Sequence, residues 1–181
     1  HLRELYRITS KQVRRYLILG VAQVWEQRKG LDIFVELSKR LDNRYQIVLV
    51  GTDAKVDKIL PKNIFSIHRT PSQKALAKIY TAADVFVNPT REENYPTVNM
   101  EALACGTPVI TFRTGGSPET IDETCGIVVE RDDVDALERE VRNVCENKVI
   151  TRNSCIMKAK EFEERKRFEE YARLYGSTVA R

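Results

Sequence analysis

The chain is poor in the residues that most often carry metal or acid–base chemistry. It has two histidines in 181 residues, one of them His1, so no histidine-centred catalytic set can be assembled, and His68 reads as a loop or packing residue. The four cysteines, Cys105, Cys125, Cys145 and Cys155, are widely spaced and form no CxxC pair. That argues against zinc ligation and a disulfide framework and for small, reduced core residues. No apolar run reaches transmembrane length, and the basic start from His1 to Arg15 is not followed by a secretory signal pattern. A GxSxG elbow and a Walker lysine after a GxxxxG loop are both missing, and Gly51-Thr52-Asp53 lacks the later glycines of a dinucleotide-binding turn. There is no internal repeat and no low-complexity linker. Charge of one sign is scarce too: 30 basic and 26 acidic residues leave a net +4, a mild preference for anionic ligands that does not make a nucleic-acid protein.

What the chain does contain is alternation. Its length suits one domain, residues 1–181, able to bury roughly 70% of the surface of the unfolded chain. Short apolar runs predict strands at Tyr16–Val21, Tyr45–Val50, Ile64–Ile67, Asp84–Asn88, Val109–Phe112 and Ile127–Val129. Between them, helices are expected over about Leu31–Leu41, Ser72–Ala83, a segment from Pro96 to Gly106, and Asp135–Cys145. Six strands with intervening helices imply an α/β fold, a Rossmann-like doubly wound parallel sheet with helices on both faces. Lys158–Arg181 has helical spacing through Phe162, Phe168, Tyr171, Leu174 and Tyr175. It reads as a terminal helix with one apolar face, packed on its own domain or bridging to another.

The most informative stretch runs from Glu93 to Ile110, with Glu93 in a loop and Glu101 inside the helix that follows. Pro96 suits a first helical turn, and Gly106 with Pro108 marks the helix end. The two carboxylates are expected to face one small ligand. The helix N-terminus between them offers unpaired N–H groups and a partial positive charge for phosphate oxygens, while the carboxylates accept from sugar hydroxyls. Lys29, just ahead of a helix, can offset diphosphate charge; Arg28 can add a bidentate contact, and Gly30 allows close backbone approach. If the strand order is 3-2-1-4-5-6, the loops carrying Arg28-Lys29-Gly30 and Glu93 to Pro96 meet at the topological switch point.

Taken together, Arg28-Lys29-Gly30, Ile79-Tyr80-Thr81-Ala82-Ala83-Asp84, the Glu93/Glu101 pair and Thr114-Gly115-Gly116-Ser117-Pro118-Glu119 resemble the signature of retaining glycosyltransferases of the GT-B fold, family four (glycosyl transferases group 1). The resemblance covers roughly residues 16 to 148. It implies a C-terminal donor-binding domain whose N-terminal acceptor domain is absent here, binding a UDP-sugar or GDP-sugar without a further cofactor. Lys29 then binds the donor diphosphate, Glu101 the ribose hydroxyls and Glu93 the transferred sugar, with Tyr95, Pro96, Thr97 and Val98 lining diphosphate and sugar. Lys29 and Glu93 are the residues expected to bear on catalysis. Relatives often carry an arginine after the glycine ending the first strand, where this chain has Gly20-Val21-Ala22-Gln23, so either Arg28 substitutes or phosphate binding rests more heavily on Lys29. Many relatives also have Gly-Phe where this chain has Asn94-Tyr95.

Gly115-Gly116 serves as a tight turn, as a close approach to the donor sugar, or as both. Asp133-Val134-Asp135 fits the DxD pattern linked to metal-bound nucleotide sugars, but it opens a helix, where acidic residues cap N–H groups; no metal ligand is expected. Reduced cysteines fit a cytoplasmic site, and family analogy suggests polysaccharide or lipopolysaccharide assembly by the full enzyme at the inner face of the membrane, with which it could associate peripherally. Two rivals stay open at this point: a stand-alone nucleotide-binding or interaction module, and a sugar-nucleotide epimerase of similar fold.

Overall fold

In the computed structural model, which describes residues 15–162, the strands are β1 (Tyr16–Val21), β2 (Tyr45–Val50), β3 (Ile64–Ile67), β4 (Val85–Asn88), β5 (Val109–Phe112) and β6 (Gly126–Val129). They form one six-stranded sheet in the order β3-β2-β1-β4-β5-β6, and every neighbouring pair is parallel. The strands are apolar runs because both of their faces are covered: Ile18, Leu19, Phe86, Ile110 and Phe112 have no measurable exposure. The ladders are unequal. Six residue pairs register β1 with β2, from Tyr16↔Tyr45 to Val21↔Val50, but only Ile18↔Val85 and Leu19↔Phe86 register β1 with β4.

The helices are α1 (Leu31–Arg40), α2 (Ala54–Asp57), α3 (Gln73–Ala82), α4 (Thr97–Ala104), α5 (Val134–Asn147) and α6 (Arg152–Ala159). Helix α1 packs against α5, while α3 and α6 pack against α4. Starts are set by side chains that accept from orphan N–H groups: Asp53 for α2, Ser72 for α3, Asp133 for α5 and Thr151 for α6.

The expected boundaries shift by a residue or two at such caps. Ser72 lies outside its helix because it caps it, and β4 begins at Val85 rather than Asp84. The short helix α2, the helix α6 and two 3-10 turns at Gln27–Lys29 and Pro118–Thr120 were not anticipated. Of the terminal helix expected over 158–181, Lys158 and Ala159 finish α6 and Lys160–Phe162 form a 3-10 turn; residues 163–181 lie outside the described residues.

Candidate functional site

At the carboxyl ends of β1 and β4, where the strand order reverses, a cleft of about 310 Å³ opens. It is lined by Val21–Trp25 with Arg28 and Lys29 from the first strand's loop, Val87–Pro89 from β4, and Glu93 with Tyr95–Val98 from the motif. Ligand pockets run from about 300 to 1,000 Å³, so this cleft sits at the lower end of that range.

The first-strand loop is held from beneath. Trp25 is buried, donates its indole N–H to Val50 O at 2.9 Å and meets Phe34 edge-on at 5.5 Å between ring centroids. The 3-10 turn Gln27–Lys29 then ends at Gly30, whose φ of +75° returns its N–H to Gln27 O. A Cβ on Gly30 would fall 2.4 Å from Pro89 O, so this glycine admits the neighbouring strand's backbone; the close approach expected of a ligand here is made by the protein. Lys29 thereby reaches Glu93, Nζ to Oε2 at 2.8 Å, with the two side chains 24% and 18% exposed. The structure thus brings together two of the expected residues as an ion pair in the cleft wall.

Glu93 is positioned by its own loop. Its Oε1 accepts from Asn94 N–H at 3.1 Å. Gly116 N–H donates to Asn94 O at 2.9 Å and Thr114 Oγ1 to Thr90 O at 2.8 Å. Gly115 has φ +48°, and a Cβ there would sit 1.5 Å from Glu93 O. The Gly-Gly turn therefore exists to let one backbone pass against another, a reason not visible in the sequence. Pro96 stands at the N-cap of α4 rather than in its first turn, with no side-chain cap, so Thr97 and Val98 bring an uncapped helix start to the cleft.

Arg91 is the residue that sequence reasoning missed. Its backbone N–H donates to Arg28 O at 2.9 Å. Its guanidinium, 14% exposed, holds Asp32 with two bonds of 2.7 and 2.8 Å and Asp132 at 2.6 Å, and it also donates to Gln27 O. The Lys29 turn, the Glu93 loop and the β6–α5 loop are joined through this one fork. Replacing Arg91 by alanine should cost about 1 kcal/mol of stability, since Asp32 and Asp132 are half-exposed and rehydrate. Ligand affinity should fall as well, because the Lys29–Glu93 spacing is released. Arg91→Lys should not restore it, as an ammonium cannot span the same acceptors. The Arg91 guanidinium holds the Asp32 carboxyl below its usual value. This contribution is therefore present above the unfolded pKa of about 3.9 and is lost as pH falls through the lower folded one. Thermal scans and calorimetry of the two variants check this, and full rescue by lysine would show that fork geometry is irrelevant.

The remaining expected residues divide. Arg28 lines the cleft, but its guanidinium is engaged by Glu26, at 2.9 and 3.1 Å. Glu101 does not line the cleft; it is exposed on α4 and accepts from the buried Tyr80 hydroxyl at 3.1 Å. Burial and the nearby Glu101 carboxylate hold Tyr80 well above the usual phenol range. His68 pairs with Asp57 at 2.6 Å near the end of β3, outside the cleft. Asp133 accepts from Ala136 N–H at 2.9 Å, the capping geometry its position implies. Cys125, Cys145 and Cys155 are buried free thiols, which burial pushes up to about 11, 12 and 12 respectively.

This geometry can be set beside known proteins. The family model described as glycosyl transferases group 1 matches residues 15–147. The GDP-mannose-dependent monoacylated alpha-(1-6)-phosphatidylinositol monomannoside mannosyltransferase of Corynebacterium glutamicum is 46% identical over 138 residues, which are 72% of this chain and 34% of that protein. Among solved structures, sucrose-phosphate synthase from Thermosynechococcus elongatus superimposes with a TM-score of 0.80 at 25% identity, covering 99% of this chain and 48% of that one. Anabaena HepE in complex with UDP-glucose does so with 0.77 at 15%, covering 97% and 51%. The chain thus spans about a third to a half of the proteins it matches, and within that span the model match takes in all six strands and both loops of the cleft. With the doubly wound sheet, the switch-point cleft and a match over most of its length, the chain belongs to the glycosyl transferases group 1 family.

Proposed function

We propose that this chain is the donor-binding domain of a retaining glycosyltransferase of family four, taking a hexosyl group from a UDP- or GDP-sugar and passing it to a glycan or lipid-linked acceptor. The observation that carries the reading is the Lys29–Glu93 pair, 2.8 Å apart, beside the uncapped start of α4. It sets a cation, helix N–H groups and a carboxylate around one cleft. An incoming diphosphate draws on the ammonium and the N–H groups, and a sugar hydroxyl then takes the carboxylate. The relatives support a nucleotide sugar as the ligand, one being GDP-mannose-dependent by name and another solved with UDP-glucose.

Catalysis on this reading is positioning and electrostatic stabilisation. Lys29, with Arg28 if it leaves Glu26, and the α4 start balance charge on the departing diphosphate as the sugar gains oxocarbenium character. Glu93 orients the transferred sugar. The acceptor site belongs to a separate N-terminal domain, and polysaccharide assembly at the cytoplasmic membrane face is the setting.

Calorimetry with UDP, GDP, UDP-glucose and GDP-mannose tests the reading. This chain should bind one molecule of a matching donor and transfer nothing by itself. Binding of none of them would sink the donor-site reading, and transfer by the chain alone would sink the half-enzyme reading. Glu101→Gln should weaken diphosphate and nucleotide sugar alike if Glu101 reaches the ribose from outside the cleft. Glu93→Gln should spare the diphosphate and weaken the nucleotide sugar about 2- to 12-fold, the range of an ordinary hydrogen bond, because an amide oxygen is retained. Identical profiles for the two variants would abolish this division of labour.

A further inference from the structure

Asn88, the last residue of β4, lines the cleft beside Pro89 and is 7% exposed. Its backbone is fixed in the sheet, where Thr111 Oγ1 donates to Asn88 O at 3.1 Å. Its side chain begins a buried chain of three hydrogen bonds. Asn88 Nδ2 donates to Asn99 Oδ1 at 2.9 Å, Asn99 Nδ2 to Thr120 Oγ1 at 2.9 Å, and Thr120 Oγ1 to Ser117 O at 2.7 Å. Asn99 and Thr120 have no exposure at all.

The direction of this chain is forced from its far end. Ser117 O is a carbonyl and can only accept, so the Thr120 hydroxyl must give its proton there and must accept from Asn99. Asn99 accordingly turns its NH₂ to Thr120 and its oxygen to Asn88, and Asn88 must donate in turn. A flipped Asn88 would set two oxygens against each other at hydrogen-bond distance inside the core, leaving both without a proton. Asn88 Oδ1 is therefore the free end. Among the described residues no group donates to it, and Ser117 Oγ is the one buried side-chain polar atom lacking a partner, so Asn88 Oδ1 keeps some exposure in a residue that lines the cleft.

We propose that Asn88 is a specificity-determining residue whose Oδ1, locked as an acceptor by the Asn99–Thr120–Ser117 chain, takes a hydrogen bond from a hydroxyl of the transferred sugar, not of the ribose. The proposal rests on the donor-binding reading above. A phosphate oxygen, which has no proton to give, is turned away from Asn88 and left to Lys29 and the start of α4. The floor and the wall of one cleft thus sort the two chemistries of the ligand, hydroxyl donors from anionic acceptors.

The test compares UDP-glucose and GDP-mannose with UDP and GDP by calorimetry on the whole chain. Asn88→Ala should weaken the bound nucleotide sugar about 2- to 12-fold, the value of one neutral hydrogen bond, and leave its diphosphate within about twofold. Thr120→Val, which removes the anchoring hydroxyl but keeps Asn88, should erode the same preference. A third arm needs no variant: among singly deoxygenated forms of the bound sugar, one should lose the same factor on the unaltered chain and lose nothing more on Asn88→Ala. Equal losses for sugar nucleotide and diphosphate, or no deoxy sugar that discriminates, would overturn the assignment. If the unaltered chain binds no nucleotide, the donor-binding reading falls first and takes this one with it, whereas binding indifferent to Asn88 and to every sugar hydroxyl removes this one alone.

Discussion

Gly115→Ala should be the most damaging small substitution near the cleft, lowering stability by about 2 to 4 kcal/mol and abolishing measurable nucleotide binding. Two costs combine. The φ of +48° is left-handed, worth roughly 1 to 2 kcal/mol against any side chain with a Cβ, and the added carbon would overlap Glu93 O at 1.5 Å. That neighbour is backbone and cannot swing aside, so the Glu93-Asn94 segment must move and take the carboxylate with it. For a chain of this size the midpoint of thermal unfolding should drop by roughly 4 to 16 °C. Gly115→Asn separates the two costs, since asparagine tolerates the left-handed region but carries the same Cβ. It should fail to restore binding. An asparagine variant that binds normally would show that the backbone torsion matters and the contact with Glu93 does not.

Lys29→Ala should weaken a nucleoside diphosphate by about 10- to 150-fold, the equivalent of roughly 1.5 to 3 kcal/mol for a hydrogen bond to a charged group. Free nucleoside should be nearly unaffected. Stability should change little, because the abandoned Glu93 side chain is 18% exposed, still accepts from Asn94 N–H and can recruit water. In a double-mutant cycle with Glu93→Gln, the two losses should not add for the nucleotide sugar, since each change also dissolves the ion pair. Calorimetry on nucleoside, diphosphate and nucleotide sugar side by side makes the comparison. Equal weakening of nucleoside and diphosphate would move Lys29 away from the phosphates.

The strands were legible because burial on both faces writes itself as unbroken apolar sequence. Tyr16–Val21, Tyr45–Val50, Ile64–Ile67 and Val109–Phe112 are found with the ends expected, and the 3-2-1-4-5-6 order assumed from the alternation is the observed one. Helix α6 was not legible. In Arg152–Ala159 only Cys155 is fully buried, so no apolar stripe marks it, and its start depends on a single Thr151 cap. Arg91 was hidden for another reason: its carboxylate partners lie 59 and 41 residues away, and a charged residue beside Glu92 and Glu93 reads as a solvated surface. The motif spacing named Glu93 and Glu101 together without saying that only the first would line the cleft. The buried chain from Asn88 to Ser117 O is likewise a product of topology, assembled from β4, α4 and the turn after β5, and no local pattern announces it.

The thin β1–β4 ladder, with two registered pairs against six between β1 and β2, divides the sheet into two blocks of three strands. Lys29 belongs to one block and Glu93 to the other. A ligand held by both therefore works as a clasp across the sparsest hydrogen-bonded line in the sheet, and separating the blocks means giving up the ligand as well as the ladder. On the donor-binding reading, a ligand adds to the Lys29–Glu93 and Arg91–Asp32 pairs that already cross this line, so occupancy of the cleft and cohesion of the sheet would be linked, the loaded domain resisting opening along its midline more than the empty one.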